Sequence, residues 1–202
     1  MRMRGAFPRE SKYHNNRRNS MIRRIPFVLS LCMLAVSAQD PAPKPTGEKL
    51  APYYPTPDSV VERMLKFGGL KRGEKIFDLG SGDGRVVIMA AQQFKADATG
   101  IELDQDLYKQ SMDRIKSLGL EKHAHIINGD ITQQDFSSAN LLTVYLLPNS
   151  NEKIRPMLEK QLKKGTRIVA HDFMFKGWTA DKEEHIPDDG EGRSHTLYLY
   201  IR

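Results

Sequence analysis

The sequence predicts an α/β fold: a seven-stranded, mainly parallel sheet with helices on both faces and an antiparallel hairpin at one edge. Three observations predict it. Short apolar runs alternate with segments of helical periodicity, the pattern of βα units stacked into a parallel sheet. A glycine turn, Gly80-Ser81-Gly82-Asp83-Gly84, joins the first such run to its helix. Near the C-terminus, two strand-like segments are joined by the polar turn 187–192 instead of a helix, which pairs them antiparallel.

The elements follow in order. Asp58 is an N-cap type, and Val60, Val61, Met64, Leu65 and Phe67 recur at helical spacing until Gly68-Gly69 stops them. Strands are expected at about 75–79, 98–104, 123–128, 140–147 and 166–173, with helices at about 84–95, 105–118 and 151–163. Pro156 is expected to kink the last of these helices. Short strands at about 183–186 and 194–201 complete the seven.

Composition divides the chain. The net charge is +6, but residues 1–38 hold eight Lys/Arg and one acid, Glu10, leaving 23 basic and 24 acidic residues in 39–202. The excess charge therefore belongs to a leader and not to a nucleic-acid-binding face, and no nucleic-acid partner is expected. Cys32, the single cysteine, also lies in the leader, so the body has no internal disulfide and no thiolate. Met21-Ile22-Arg23-Arg24, the apolar run 25–38 and the small residues Val36-Ser37-Ala38 read as an export signal, or as a membrane anchor if the segment is retained. Export or membrane anchoring is the expected localisation. Residues 39–57 carry prolines at 41, 43, 45, 52, 55 and 57 and read as an extended linker whose aromatic end packs on the body. Residues 58–202 form the expected catalytic domain.

The glycine turn points to the ligand. Glycines permit positive φ and close backbone approach, and the following helix start offers unpaired N–H groups. Gly80, Gly82 and Gly84 are spaced G-x-G-x-G, not the G-x-G-x-x-G of dinucleotide sites. An acid, Asp78, precedes them. It suits a ligand with a cationic amino-acid part, such as S-adenosyl-L-methionine (SAM), better than a pyrophosphate. In open α/β sheets ligands lie at the carboxyl ends of strands, where two further acids fall, Glu102 and Asp130. Glu102 is the expected acceptor for a ribose diol and Asp130 for an adenine amino group, with Leu103 and Ile131 against the purine. Ser81 belongs to the same turn. Asp83 is read as a helix cap and Arg85 as a first-turn residue pairing with an acid.

These residues, with Gly100-Ile101-Glu102-Leu103, Gly129-Asp130 and the seven-strand order, resemble the Rossmann-like class I SAM-dependent methyltransferases over about residues 50–202. Pro52-Tyr53-Tyr54-Pro55-Thr56, Asp78 to Ile88, Tyr145-Leu146-Leu147-Pro148 and Phe173 to Thr179 are similar to a narrower group. That group is the protein-lysine methyltransferases acting on the mitochondrial ATP synthase c subunit and the adenine nucleotide translocase, with their bacterial relatives. The resemblance implies SAM as cofactor and a protein lysine as acceptor, including a membrane protein. The supply of SAM favours the cytoplasmic side, against export. A small-molecule methyltransferase and a SAM-binding protein without turnover are the alternatives on the same fold.

A lysine acceptor must lose a proton, and an apolar pocket lowers its pKa. Tyr145 to Pro148 are expected to build that pocket, with Tyr145 and Pro148 as the catalytic pair. Tyr54 and Thr56 close the site from the linker side, and Trp178 lines the acceptor channel. His171-Asp172 is a weak candidate for a base. No metal site is read: His123 and His125 share a strand face, but two ligands do not make a site.

Overall fold

The strand order is β3-β2-β1-β4-β5-β7-β6 in a computed structural model that describes residues 46–202. The strands are β1 (Lys75–Leu79), β2 (Asp97–Glu102), β3 (Ala124–Asn128), β4 (Leu141–Val144), β5 (Arg167–His171), β6 (Lys182–Ile186) and β7 (His195–Ile201). The helices are α1 (Asp58–Phe67), α2 (Arg85–Phe94), α3 (Gln105–Ser117) and α4 (Pro148–Gln161). The first five strands pair in parallel. The expected hairpin, β6–β7, is present, but β7 inserts antiparallel between β5 and β6 and leaves β6 at the edge.

Alternation along each strand divides the core between two faces. Ile76, Leu141, Val169 and Leu199 pack with Val60, Met64 and Val87, which puts α1 and α2 on one face. Leu79, Leu142, Ile168 and Tyr200 pack with Ile154 and Leu158 of α4 on the other. β4 is buried throughout, with Thr143 its one polar residue. The sheet order reverses between β1 and β4, the place where open α/β sheets hold their ligands.

Several boundaries differ from expectation. Pro57, not Asp58, caps α1, and Asp58 sits in the first turn beside the positive helix end. α4 starts three residues earlier than expected, with Pro148 at its first position, where a missing N–H costs nothing. It continues through Pro156 to Gln161.

The leader with its signal-like segment and Cys32 lies outside the described residues. The expected export or membrane anchoring is corrected: no helix among the described residues is long and apolar enough to cross a membrane. The longest of them has 14 residues, against the roughly 20 a span requires.

Candidate active site

A cavity of about 300 Å³ opens at the carboxyl end of the sheet beside the reversal point. Its floor is the glycine turn. Gly80 and Ser81 donate their N–H groups to the Ile101 carbonyl at 3.0 and 2.9 Å, tying the turn to β2. The Gly82 N–H donates to Glu102 Oε2 at 2.7 Å, and the Asp104 N–H to Glu102 Oε1 at 2.8 Å. Both oxygens are held in place, and each keeps a lone pair for a ligand. Residues 48–56 run over the turn as a strap, with Tyr53 seated directly on Gly82.

The structure brings most of the predicted binding residues to this one cavity. Asp78, Gly80, Ser81, Gly82 and Glu102 line it from β1 and β2; Leu103, Asp130 and Ile131 flank it; Tyr54, Thr56 and Tyr145 close it. Two residues fall elsewhere. Gly84 does not reach the cavity: a Cβ there would lie 2.9 Å from the Ser111 Cβ, so its role is close packing of α2 on α3. Pro148 opens α4 and lines a neighbouring shallow groove with Phe173 and Trp178. Trp178 is likewise absent from the cavity wall; its indole N–H donates to Glu159 at 2.9 Å.

Asp78 is buried and accepts the Thr143 hydroxyl at 2.6 Å. Burial pushes its carboxyl up to about 7; the Thr143 bond opposes this, and the carboxylates of Glu102 and Asp83 add to it. Because the folded value lies above the unfolded one, this carboxyl contributes stability at acid pH that is lost as pH rises through about 7. A cationic ligand reverses the preference and draws the proton off. SAM affinity is therefore expected to fall about tenfold per pH unit below 7 in calorimetric titrations. Asp78→Asn should flatten that slope and weaken binding at pH 8.

Asp83 pairs with Arg85 through bonds of 2.9 and 2.8 Å, and Arg85 also donates to the Thr56 carbonyl at 2.7 Å. Burial raises the Asp83 carboxyl, but Arg85 outweighs it and holds the group below the usual range. Asp83 is thus less a helix cap than the anchor of a clamp that fastens the strap. Arg85→Ala should lower SAM affinity about tenfold and speed proteolysis of residues 48–56, leaving the sheet intact.

The wall fits SAM. Ser81 Oγ is buried with no hydrogen-bond partner and packs on Gly100 of β2, where a Cβ would lie 2.5 Å from it, so the turn sits closely on a glycine of the neighbouring strand. Asp130 Oδ1 accepts from Thr132 at 2.8 Å, which orients the carboxylate. Among the described residues, the cavity meets six carboxylates (Glu48, Asp78, Asp83, Glu102, Asp104, Asp130) and two cations, Lys49 and Arg85.

At the strap's far end, Tyr145 stacks on His171 with ring centroids 3.9 Å apart and donates to Asp172 Oδ2 at 3.3 Å. Burial, then the Asp172 carboxylate, pushes its hydroxyl up to about 12, so it remains a phenol. His171 is buried behind Tyr145 and does not line the cavity, and burial holds its imidazole well below the usual range. The histidine suggested as a base thus stands behind the wall, in a cluster with Asp172, His195 and Asp189.

A family model, the ANTKMT methyltransferase domain, matches residues 78–182. A protein-lysine N-methyltransferase of Saccharolobus islandicus (strain REY15A) is 40% identical over 151 residues, 74% of this chain and 92% of that protein. The chain belongs to this family. The Mus musculus adenine nucleotide translocase lysine N-methyltransferase is 29% identical over 129 residues, 63% of this chain, and the match spans only 55% of that longer protein. Among solved structures, an RNA methyltransferase from Salinibacter ruber, in complex with S-adenosyl-L-homocysteine, is 39% identical. Its TM-score is 0.68, covering 73% of this chain and 93% of that one. The sheet of this methyltransferase is the seven-stranded class I form.

Some parts of the site of this methyltransferase are not evident from sequence. Tyr53 has a visible signal, as an aromatic in a proline-rich strap. Thr143, His195 and Asp189 carry no local signal, because each meets its partner only across the sheet or its edge.

Proposed function

We propose that this methyltransferase moves the methyl group of SAM to the side-chain amine of a lysine in a protein. The observation that carries the reading is the sign of the cavity: six carboxylates against two cations. Such a wall attracts a cationic cofactor and a cationic acceptor and repels a polyanion. The name of the Saccharolobus islandicus relative agrees with a lysine acceptor. The Salinibacter ruber relative is named for RNA, and the negative wall here argues against that acceptor.

When bound, SAM supplies an electrophilic methyl group on a sulfonium. The residues of the chain do the rest. Asp78, Glu102 and Asp130 bind and orient the cofactor over the glycine turn, whose positive-φ glycines let it approach the backbone. Tyr53, Tyr54 and Thr56 of the strap exclude water over it. Tyr145 and Leu146 form an apolar wall that lowers the pKa of an entering lysine and aligns its nitrogen, so that catalysis rests on placement.

The test is label transfer from methyl-labelled SAM to a cell extract split into soluble protein, membrane protein, RNA and small-molecule fractions. Label removed by protease and untouched by ribonuclease is expected. Label found only in RNA or only in small molecules overturns the lysine reading.

A further inference from the structure

We propose that His171, His195 and Asp172 form a binding site for a divalent first-row transition metal, of the zinc or iron(II) kind, directly behind Tyr145. His171 ends β5 and His195 begins β7, and the antiparallel pairing of those strands sets them side by side. Asp172 follows with φ of 58°, a left-handed backbone that non-glycine residues rarely adopt. That turn aims its carboxylate back at the two imidazoles. His171 Nε2 lies 2.9 Å from His195 Nδ1, His195 Nδ1 lies 3.2 Å from Asp172 Oδ2, and Asp172 Oδ2 lies 3.4 Å from His171 Nε2.

This triangle has the dimensions of a metal face. An ion about 2.1 Å from each donor holds the donors ~3.0 Å apart at right angles and ~3.4 Å apart at the tetrahedral angle. The remote ring nitrogens are also provided for. His195 Nε2 faces Asp189 Oδ2 at 3.2 Å, and His171 Nδ1 faces Thr56 Oγ1 at 3.4 Å. Asp189 is itself fixed by the Glu191 N–H at 2.7 Å and the Arg193 guanidinium at 3.0 Å. Partners of this kind place the proton on the outer nitrogen and turn the inner lone pair toward an ion, as in carboxylate–histidine–metal sites. Two neutral imidazoles and one carboxylate suit zinc, iron(II), cobalt(II) or manganese(II) and are poor ligands for magnesium or calcium.

Both histidines are almost wholly buried, whereas the Asp172 side chain is 25% exposed, which leaves that side of the triangle open to solvent. The bond from the Tyr145 hydroxyl to Asp172 Oδ2 ties the site to the cavity wall. An ion here braces Tyr145 and, through Thr56, the strap. By contrast, His125 stands exposed on β3 and belongs to no such group among the described residues.

The test is titration of the full chain, stripped by chelator, with cobalt(II) under visible absorption. We expect d–d bands that saturate at about one ion per chain and are displaced by zinc. His195→Ala and Asp172→Asn should each abolish the bands while still binding SAM, and His125→Ala should retain them. Asparagine tolerates the left-handed backbone at 172, so that variant keeps the fold. X-ray absorption of the cobalt-loaded wild type should contain imidazole scattering from two rings. Absence of saturable d–d absorption in the wild type, absence of imidazole scattering, or bands unchanged in both ligand variants overturns the proposal.

Discussion

Gly82→Val is expected to weaken SAM binding at least about 100-fold in calorimetric titration, close to abolition. Three effects converge on this residue. Its φ is +54°, a region that a β-branched side chain does not enter without strain. A Cβ there would lie 2.7 Å from the Tyr53 ring, so the strap must lift off the turn. Its N–H orients Glu102, and a shift of the backbone frees that carboxylate. Gly119→Ala separates backbone strain from the site. Gly119 has φ of +66° with open space around it, so alanine there costs about 1 kcal/mol of stability and leaves SAM affinity within about twofold. Equal affinity losses in the two variants would show that the close approach of Tyr53 to Gly82 carries no binding role.

Tyr145→Ala should lower the rate of methyl transfer about 100-fold while SAM affinity changes less than about threefold, measured by single turnover and calorimetry. Tyr145 lies at the carboxyl end of β4, on the wall nearest Thr56, and its ring is held from behind by His171. In the proposed function it aligns the acceptor and does not grip the cofactor. Tyr145→Phe keeps the stacked ring and loses only the bond to Asp172. A rate loss of about tenfold or less is expected, since placement and not proton removal is the role assigned to the side chain. A large loss of SAM affinity in the alanine variant would move Tyr145 into the cofactor site instead.

Much of this architecture is legible from residue order. Alternating apolar runs and helical faces mark the elements, because each strand and helix buries one side or both. The glycine spacing and the acids at 78, 102 and 130 mark the cavity, because local backbone geometry and strand ends place them without help from distant residues. What escapes is non-local. Insertion of β7 between β5 and β6 depends on pairing that the turn 187–192 does not specify. The Thr143–Asp78 bond crosses between β1 and β4, and His195 and Asp189 meet His171 only after β7 has inserted. Pro148 groups with Tyr145 in sequence because the two are close along the chain, but an early start to α4 turns it into the next groove.

The central claim is tested most directly by the chemical identity of the transferred methyl group. After reaction with methyl-labelled SAM, labelled protein is hydrolysed to amino acids and separated. Label in ε-N-methylated lysine, lost with the Gly82→Val variant, is predicted. Label recovered from methyl esters or other side chains with no methylated lysine, or undiminished by Gly82→Val, would contradict this account of the site.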